Sequence, residues 1–364
     1  MKLAPRRSSF RAVNLGLRIR TLAVLSLVLN RPLLSRVTRG CTRDPAVEAF
    51  EVDGVPVSIY RPHGHGPWPA IMFVTGAHPL RRKEPVVQRV AEGLARAGYL
   101  VVLPDLPGLG VGELTTRTVD AAAAVAETAV SLDDPRDGRV ALIGASTGAS
   151  IGLLLAARSD LADRISLVSA ISPYADLRKM VCLATTARYE NGGTYREYAV
   201  TNLLRRAVAR SMIVTLTTGP ERERLLDEVG DILEDDDPFA RLPAHSAALS
   251  PEARAIMCVL ENRDANRFDE LFDELPPDLR RVIERLSPLS VAADVRAPVE
   301  LAVPPDDPYF PLDEAEALAK SMPTVRLTVT SALDHTRPGV SRKQLRALRE
   351  FDRFVVRTLA GAAS

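Results

Sequence analysis

Short apolar runs alternate with helical segments along most of this chain, and this alternation limits the fold more than any other sequence feature. The runs are mostly apolar and end near glycine or proline, which is typical of strands buried on both faces of a sheet. In chain order they are PAIMFV, LVVLP, RVALIG, RISLVSAI, APVELAV and TVRLTV. Strands that alternate with helices predict an α/β fold with a mostly parallel central sheet and helices on both faces. An earlier alternating stretch around Asp53 and Gly54 predicts a β-hairpin.

The alternation stops in one long internal stretch. Between Pro173 and Pro288 the sequence contains long charged helical segments and no pattern typical of a strand. We interpret the charge runs as solvated helix faces. The sequence therefore predicts a helical cap at residues 176–287, inserted into a core formed by residues 45–175 and 288–364.

The first 40 residues form a separate segment, basic first and apolar later. Its apolar part, residues 21–29, is shorter than the roughly 20 residues that cross a bilayer. Four side chains of the segment would share one face of a helix: Arg7, Arg11, Asn14 and Arg18. Such a helix could lie on an anionic membrane or pack on the surface of its own domain. A signal peptide is the third interpretation, although no small-residue cleavage site follows.

Composition excludes several classes of function. The chain has 364 residues, a formal net charge of +1 and a pI of about 7.8, so no overall field attracts nucleic acid. Its three cysteines, Cys41, Cys182 and Cys258, lack the spacing of a disulfide framework or a zinc site. We therefore expect a cytoplasmic protein without a metal or cofactor, with peripheral membrane contact through residues 1–40 as an open alternative.

The motif Gly-Ala-Ser-Thr-Gly, residues 144–148, lies between a strand-like run and a helical segment. A G-x-S-x-G sequence in this context predicts a sharp turn that exposes Ser146 as a nucleophile. The glycines are needed because side chains at their positions would collide with the neighbouring strand and helix. A glycine-rich structural turn and a phosphate loop are the alternatives, but the lysine of a P-loop is missing.

A nucleophilic serine needs a histidine base and an acid that orients this base. In chain order, this fold places the acid and then the histidine after the serine. His335 follows a late strand, unlike the other four histidines, so we predict it as the base. Asp307 follows another late strand and is the predicted acid, with Asp306 as the alternative. Asp334 adjoins His335, and neighbours in an extended segment point apart, so it would orient the ring poorly.

Two backbone N–H groups must stabilise the oxyanion of the tetrahedral intermediate. Thr147 directly follows the serine at the start of a helix, where the dipole favours negative charge. Ala77 lies in the loop after the first buried strand and is the predicted second donor, whereas Pro79 has no N–H to donate. His78 could contact substrate or hold this loop.

Together these motifs resemble the α/β-hydrolase superfamily over residues 47–360. FVTGAHP is similar to its oxyanion loop, with Thr75 in place of the usual histidine, and IGASTGAS is similar to its nucleophile elbow. GYLVVLPDLPGLGVGE and the segment leading to PPDDPYFP also resemble family segments. The resemblance implies Ser146 as nucleophile, Asp307 as acid and His335 as base, and a structural role for Asp105.

The function predicted from these residues is a serine hydrolase that cleaves carboxylic esters or related acyl bonds, without metal, flavin or nucleotide. The predicted helical cap favours a small or medium acyl substrate in an enclosed pocket. Peptidases and acyltransferases use the same three side chains, so they remain open. A hydrolase-like protein that binds an apolar ligand without turnover is the non-enzymatic alternative.

Overall fold

The structure is a computed structural model that describes residues 16, 18, 20–22, 24–27, 32–132, 134–242, 249–335, 337–338 and 345–364. Its strands are β1 Ala46–Val52, β2 Val55–Arg61, β3 Trp68–Val74, β4 Leu100–Pro104, β5 Pro135–Ala145, β6 Ile165–Ile171, β7 Arg188–Asn191, β8 Thr194–Glu197, β9 Val299–Val303, β10 Val325–Val329, β11 Leu333–Asp334 and β12 Arg337–Pro338. Its α-helices are α1 Pro32–Cys41, α2 Pro85–Arg96, α3 Thr116–Ser131, α4 Thr147–Ala156, α5 Leu177–Thr186, α6 Asn202–Ile213, α7 Pro220–Val229, α8 Pro251–Glu261, α9 Phe268–Asp273, α10 Pro277–Arg285, α11 Leu312–Ser321 and α12 Leu345–Ala362. Short 3-10 helices cover Arg81–Lys83, Leu109–Val111, Pro238–Arg241, Ala265–Arg267 and Pro288–Asp294.

Eight strands form the main sheet, in the order β1-β2-β4-β3-β5-β6-β9-β10. Among them only β2 runs against the others, and every neighbouring pair from β4 to β10 is parallel. The β1–β2 hairpin turns at Asp53 and Gly54, whose φ angles of 47° and 80° match the primed turn that such hairpins favour. The mostly parallel sheet predicted from the sequence is confirmed.

Both faces of the sheet are buried. Alternate residues of β3 divide between two apolar clusters, with Met72 in one and Phe73 in the other, as the period-two geometry of a strand requires. Residues of α3 and α4 cover the Met72 face, whereas residues of α2 and α12 cover the Phe73 face. The parallel strands are covered on both sides, and this explains why their sequences are mostly apolar.

The segment between β6 and β9 is mainly helical and contains α5 to α10. It also contains the β7–β8 hairpin, so the expectation that no strand occurs there is wrong. The turn consists of Gly192 and Gly193, both at positive φ, and Asn191 pairs with Thr194 across it. The hairpin forms because two glycines adopt this turn conformation without steric cost. Whether this insertion, predicted as residues 176–287, acts as a cap stays a prediction.

The described residues between 16 and 27 are helical and contact the core. Val24 and Leu27 are buried, and Val24 Cα would lie only 3.3 Å from a Cβ placed on Gly93 of α2. Arg7, Arg11 and Asn14 lie outside the described residues, so the membrane-facing helix stays a prediction. None of the described helices has the length and apolarity needed to cross a membrane.

Candidate active site

Ser146 lies on a sharp turn between the end of β5 and the start of α4. Its φ of 55° and ψ of −130° are unfavourable for a residue with a side chain, as in a nucleophile elbow. The turn is held because Ser146 N donates to the carbonyl of Ile171 on β6 at 2.8 Å. A Cβ on Gly148 would lie 2.2 Å from the Val74 carbonyl oxygen, and a Cβ on Gly144 would lie 2.4 Å from the Gly148 oxygen. These collisions are the ones expected from the sequence.

Replacing Gly148 with alanine should therefore destabilise the protein by about 3 kcal/mol or more, because backbone atoms must move to admit the methyl group. Gly152, one turn further along α4, is the matched control. A Cβ there would meet Leu142 Cβ at 3.7 Å, an ordinary contact, and alanine favours a helix by about 0.8–1 kcal/mol over glycine. In urea unfolding, the midpoint of Gly148→Ala should lie below that of the wild type, and the midpoint of Gly152→Ala should lie above it. Equal stability of Gly148→Ala and the wild type would contradict the elbow geometry.

His335 and Asp307 form a direct hydrogen bond. Nδ1 of His335 lies 2.8 Å from each carboxylate oxygen of Asp307, and the side chains are 12% and 2% exposed. Asp307 lies in the loop after β9, and His335 lies two strands further along the chain, after β11. The structure thus brings together two side chains that the sequence separates by 28 positions.

Aromatic rings and one hydroxyl hold His335 in place. The rings of Tyr309 and Phe310 lie with centroids 4.4 and 5.5 Å from the imidazole centroid. Ser172 Oγ donates to the carbonyl of His335 at 2.9 Å. The φ angle of His335 is 50°, a backbone conformation that costs energy for a residue with a side chain. The contacts with Tyr309, Phe310 and Ser172 offset this cost. Sequence reasoning missed Ser172, which immediately follows β6 at the same edge of the sheet.

The other acids near these loops make different contacts. Asp306 is exposed, and Asp334 is exposed while its backbone pairs with Arg337 across β11 and β12. The structure therefore brings Asp307, rather than Asp306 or Asp334, against the imidazole. His78, another histidine in this region, accepts a hydrogen bond from Leu80 N at Nδ1.

The environment of Asp307 favours its ionised form. Burial by itself would raise the pKa of this carboxyl, but the hydrogen bond from His335, the positive charge of that ring and two backbone donors outweigh it. Those donors, the N–H groups of Tyr309 and Phe310, lie 2.8 and 3.1 Å from Oδ1. The pKa of Asp307 is consequently lowered, so its carboxylate accepts the Nδ1–H of the imidazole at neutral pH.

A second buried carboxyl anchors the insertion beside this acid loop. Glu314 of α11 accepts hydrogen bonds from Tyr189 Oη at 2.5 Å and from the N–H groups of Ala175 and Asp176 at 2.6 and 2.8 Å. Complete burial raises the pKa of Glu314 to about 7, although these hydrogen bonds act in the opposite direction. Tyr198, which follows β8, donates to the main-chain carbonyl of Asp307. The hairpin that sequence reasoning missed therefore contributes to holding the acid loop.

The predicted oxyanion donors lie beside the serine. Thr147 is the first residue of α4, and the first N–H groups of a helix have no partner within it. Ala77 follows Gly76, and a Cβ on Gly76 would lie 3.0 Å from Ser146 Cβ, so the loop after β3 passes close to the nucleophile. The next N–H, that of His78, donates to the Leu109 carbonyl at 3.1 Å.

Asp105 holds the loop that carries Ala77. Its carboxylate accepts hydrogen bonds from the N–H of Arg82 at 3.1 Å and from Nε of the same residue at 2.9 Å. The Arg82 side chain also donates to Ser58 Oγ. These contacts agree with the structural role that the family resemblance implies for this aspartate.

One cavity of about 640 Å³ connects these groups. Five residues discussed above line its polar end: Ala77, His78, Ser146, Thr147 and His335. Residues of α6, in the insertion, also line it. Within the described part of the chain, no cluster of three or more histidine, cysteine or acidic side chains has the arrangement of a metal site.

Residues 53–213 match the model of the X-Pro dipeptidyl-peptidase (S15) family, which is a family with an α/β-hydrolase fold. The match includes the elbow and ends before Asp307 and His335. The chain has the α/β-hydrolase fold. Its mostly parallel sheet and the elbow at Ser146 are features of this fold.

Solved α/β-hydrolase structures are similar at low identity. The 2,6-dihydroxy-pseudo-oxynicotine hydrolase is 15% identical with a TM-score of 0.49, over 91% of this chain and 73% of that one. Est1E from Butyrivibrio proteoclasticus is 16% identical with a TM-score of 0.47, over 87% and 98%. A puromycin-hydrolyzing peptidase from Mycobacterium tuberculosis is 17% identical with a TM-score of 0.48, over 87% of this chain and 38% of that one. A search of curated proteins finds no match.

Proposed function

We propose that this α/β-hydrolase is a serine hydrolase that cleaves carboxylic esters through an acyl-enzyme. The observation that carries the proposal is the hydrogen bond between Asp307 and His335, because the ring of His335 lines the same cavity as a serine on an elbow. The ionised Asp307 accepts the Nδ1–H of His335, so in the neutral ring Nε2 carries the lone pair and can act as a base.

In the acylation step, His335 Nε2 takes the proton of Ser146 while Oγ attacks the ester carbonyl carbon. The carbonyl oxygen becomes an oxyanion, which the N–H groups of Thr147 and Ala77 stabilise. The tetrahedral intermediate collapses when the C–O bond to the alcohol breaks, and the alcohol leaves with the proton from His335. A water molecule then attacks the acyl-enzyme with His335 again as base, which releases the acid and restores Ser146.

A peptidase is the second candidate, because residues 53–213 match the X-Pro dipeptidyl-peptidase family. Such an enzyme must bind the free N-terminal ammonium of a peptide, which requires an available carboxylate. Among the described residues of the cavity lining, the acids are Glu84 and Asp334, and Glu84 caps α2 by accepting from Val87 N at 2.8 Å. Arg81 also lines the cavity and would repel an ammonium group. The Glu84 cap and the positive charge of Arg81 favour an ester, because a peptide with a free N-terminus would depend on Asp334 alone among these acids.

Turnover of four substrates tests this choice: p-nitrophenyl butyrate, methyl butyrate, Gly-Pro-p-nitroanilide and its N-acetyl form. We expect cleavage of both esters, with kcat/KM for p-nitrophenyl butyrate at least about tenfold above that for Gly-Pro-p-nitroanilide, a difference of roughly 1.4 kcal/mol in barrier. Faster cleavage of Gly-Pro-p-nitroanilide than of either ester, lost on N-acetylation, would establish the peptidase instead. A folded protein that cleaves none of the four would refute both.

A further inference from the structure

The cavity beside Ser146 continues as an apolar chamber along the Phe73 face of the sheet. Its floor comes from the strands, its walls from α2 and α12, and its roof from the N-terminal helical residues. The apolar lining of this chamber includes Val24, Phe73, Val90, Phe351, Val355 and Leu359. This composition matches an apolar ligand, and the total cavity volume of about 640 Å³ is that of a small-molecule site.

Polar groups in the chamber are paired with each other. Ser169 Oγ and Thr358 Oγ1 both belong to the lining and lie 2.9 Å apart in a buried hydrogen bond. Each of these buried hydroxyls therefore has a hydrogen-bond partner within the protein. The deep part of the chamber therefore offers mainly apolar contact.

The chamber is long in one direction. Its lining includes Phe351 and Leu359 of α12, positions separated by about 12 Å at the rise of an α-helix. An extended chain advances about 1.2 Å per bond, so this length accommodates about ten carbons.

A smaller apolar pocket of about 80 Å³ adjoins the large cavity at the predicted oxyanion donors. It shares Ala77, Thr147 and Phe310 with the large cavity, and the insertion contributes Val208 and Met212 to it. The predicted oxyanion donors thus border two spaces of different size.

We propose that the long chamber binds the acyl chain of the substrate, a linear fatty acyl group of about ten carbons. This inference rests on the proposed function. The small pocket then receives a small alcohol. The assignment follows from the order of the steps, because the alcohol must leave before water attacks, whereas the acyl group stays bound to Ser146 through both steps.

Hydrolysis of p-nitrophenyl esters from acetate to dodecanoate tests the proposal with a constant leaving group. For the wild-type chain we expect kcat/KM to rise with each added methylene, by up to about fourfold, until about ten carbons. Val355→Phe and Val90→Phe place bulk in the chamber from two different helices. Each should lower kcat/KM for the decanoate by about tenfold or more and leave that for the acetate within about threefold. Val356→Phe, at a neighbouring position of α12 outside the lining, should change neither value.

Two results would overturn the chamber assignment while leaving the proposed function intact: cleavage that is fastest for the acetate, or a length profile that neither chamber variant changes. Acetate turnover serves as the measure of correct folding for each variant. If no ester of any length is cleaved by the folded wild-type chain, the proposed function itself fails.

Discussion

Replacing Asp307 with asparagine should lower kcat for ester cleavage by about 10⁴-fold. The buried carboxylate accepts the Nδ1–H of His335, with both oxygens at 2.8 Å. An amide that donates toward Nδ1 stabilises the other tautomer, in which Nε2 carries the proton and cannot accept one from Ser146. The KM should change little, because Asp307 contacts His335 and the backbone of its own loop rather than the cavity. Steady-state kinetics on the preferred p-nitrophenyl ester measure both constants.

Asp306→Asn is the matched control, because it makes the same chemical change at the neighbouring, exposed position. We expect its kcat to stay within about twofold of the wild type, the range usual for surface substitutions. A thermal melt should show that both variants fold, since in Asp307→Asn the oxygen of the introduced amide can still accept from Tyr309 N. Wild-type kcat in a folded Asp307→Asn chain, or a larger loss in Asp306→Asn, would show that another acid orients His335.

The central sheet could be predicted from the sequence because its signal is local. Each buried strand is a run such as VALIG, residues 140–144, that is apolar throughout, and both faces of the sheet are covered as such runs require. The elbow could also be predicted down to its glycines. The collision of a Cβ on Gly148 with Val74 follows from the short distance between a strand and the helix that leaves its neighbour.

The β7–β8 hairpin was missed because its strands are short and polar. Of the four residues in β7, only Tyr189 is buried, so no alternating pattern of apolar residues marks the strand. The adjacent glycines at 192 and 193 were the available signal. The function of the hairpin, which is to bring Tyr189 to the buried carboxylate of Glu314, depends on a contact between residues 125 positions apart.

The part played by the N-terminal segment could not be predicted either. Its amphipathic pattern indicates a helix but does not identify the surface that covers the apolar face. The structure shows that Val24 and Leu25 line the same cavity as Ser146. Likewise, the chain order singled out His335, whereas the ring contacts from Tyr309 and Phe310 depend on a loop conformation that no periodic pattern encodes.

Replacement of Ser146 should have the largest effect on kcat. Its replacement by alanine removes the atom that forms the acyl-enzyme, so kcat should fall by on the order of 10⁶-fold, as for loss of a nucleophile in other serine hydrolases. The variant should keep its fold, because the hydrogen bond that holds the turn comes from the backbone N–H of residue 146 to Ile171. Ser131→Ala, at an exposed position of α3, is the matched control and should keep full activity.

Peptide mapping by mass spectrometry after incubation with a fluorophosphonate locates the reactive hydroxyl directly. The account predicts one phosphonate per chain, on the peptide that contains residue 146, in the wild type and in Ser131→Ala, and none in Ser146→Ala. A folded wild-type chain that remains unmodified, or that carries its adduct on a different residue, would contradict it.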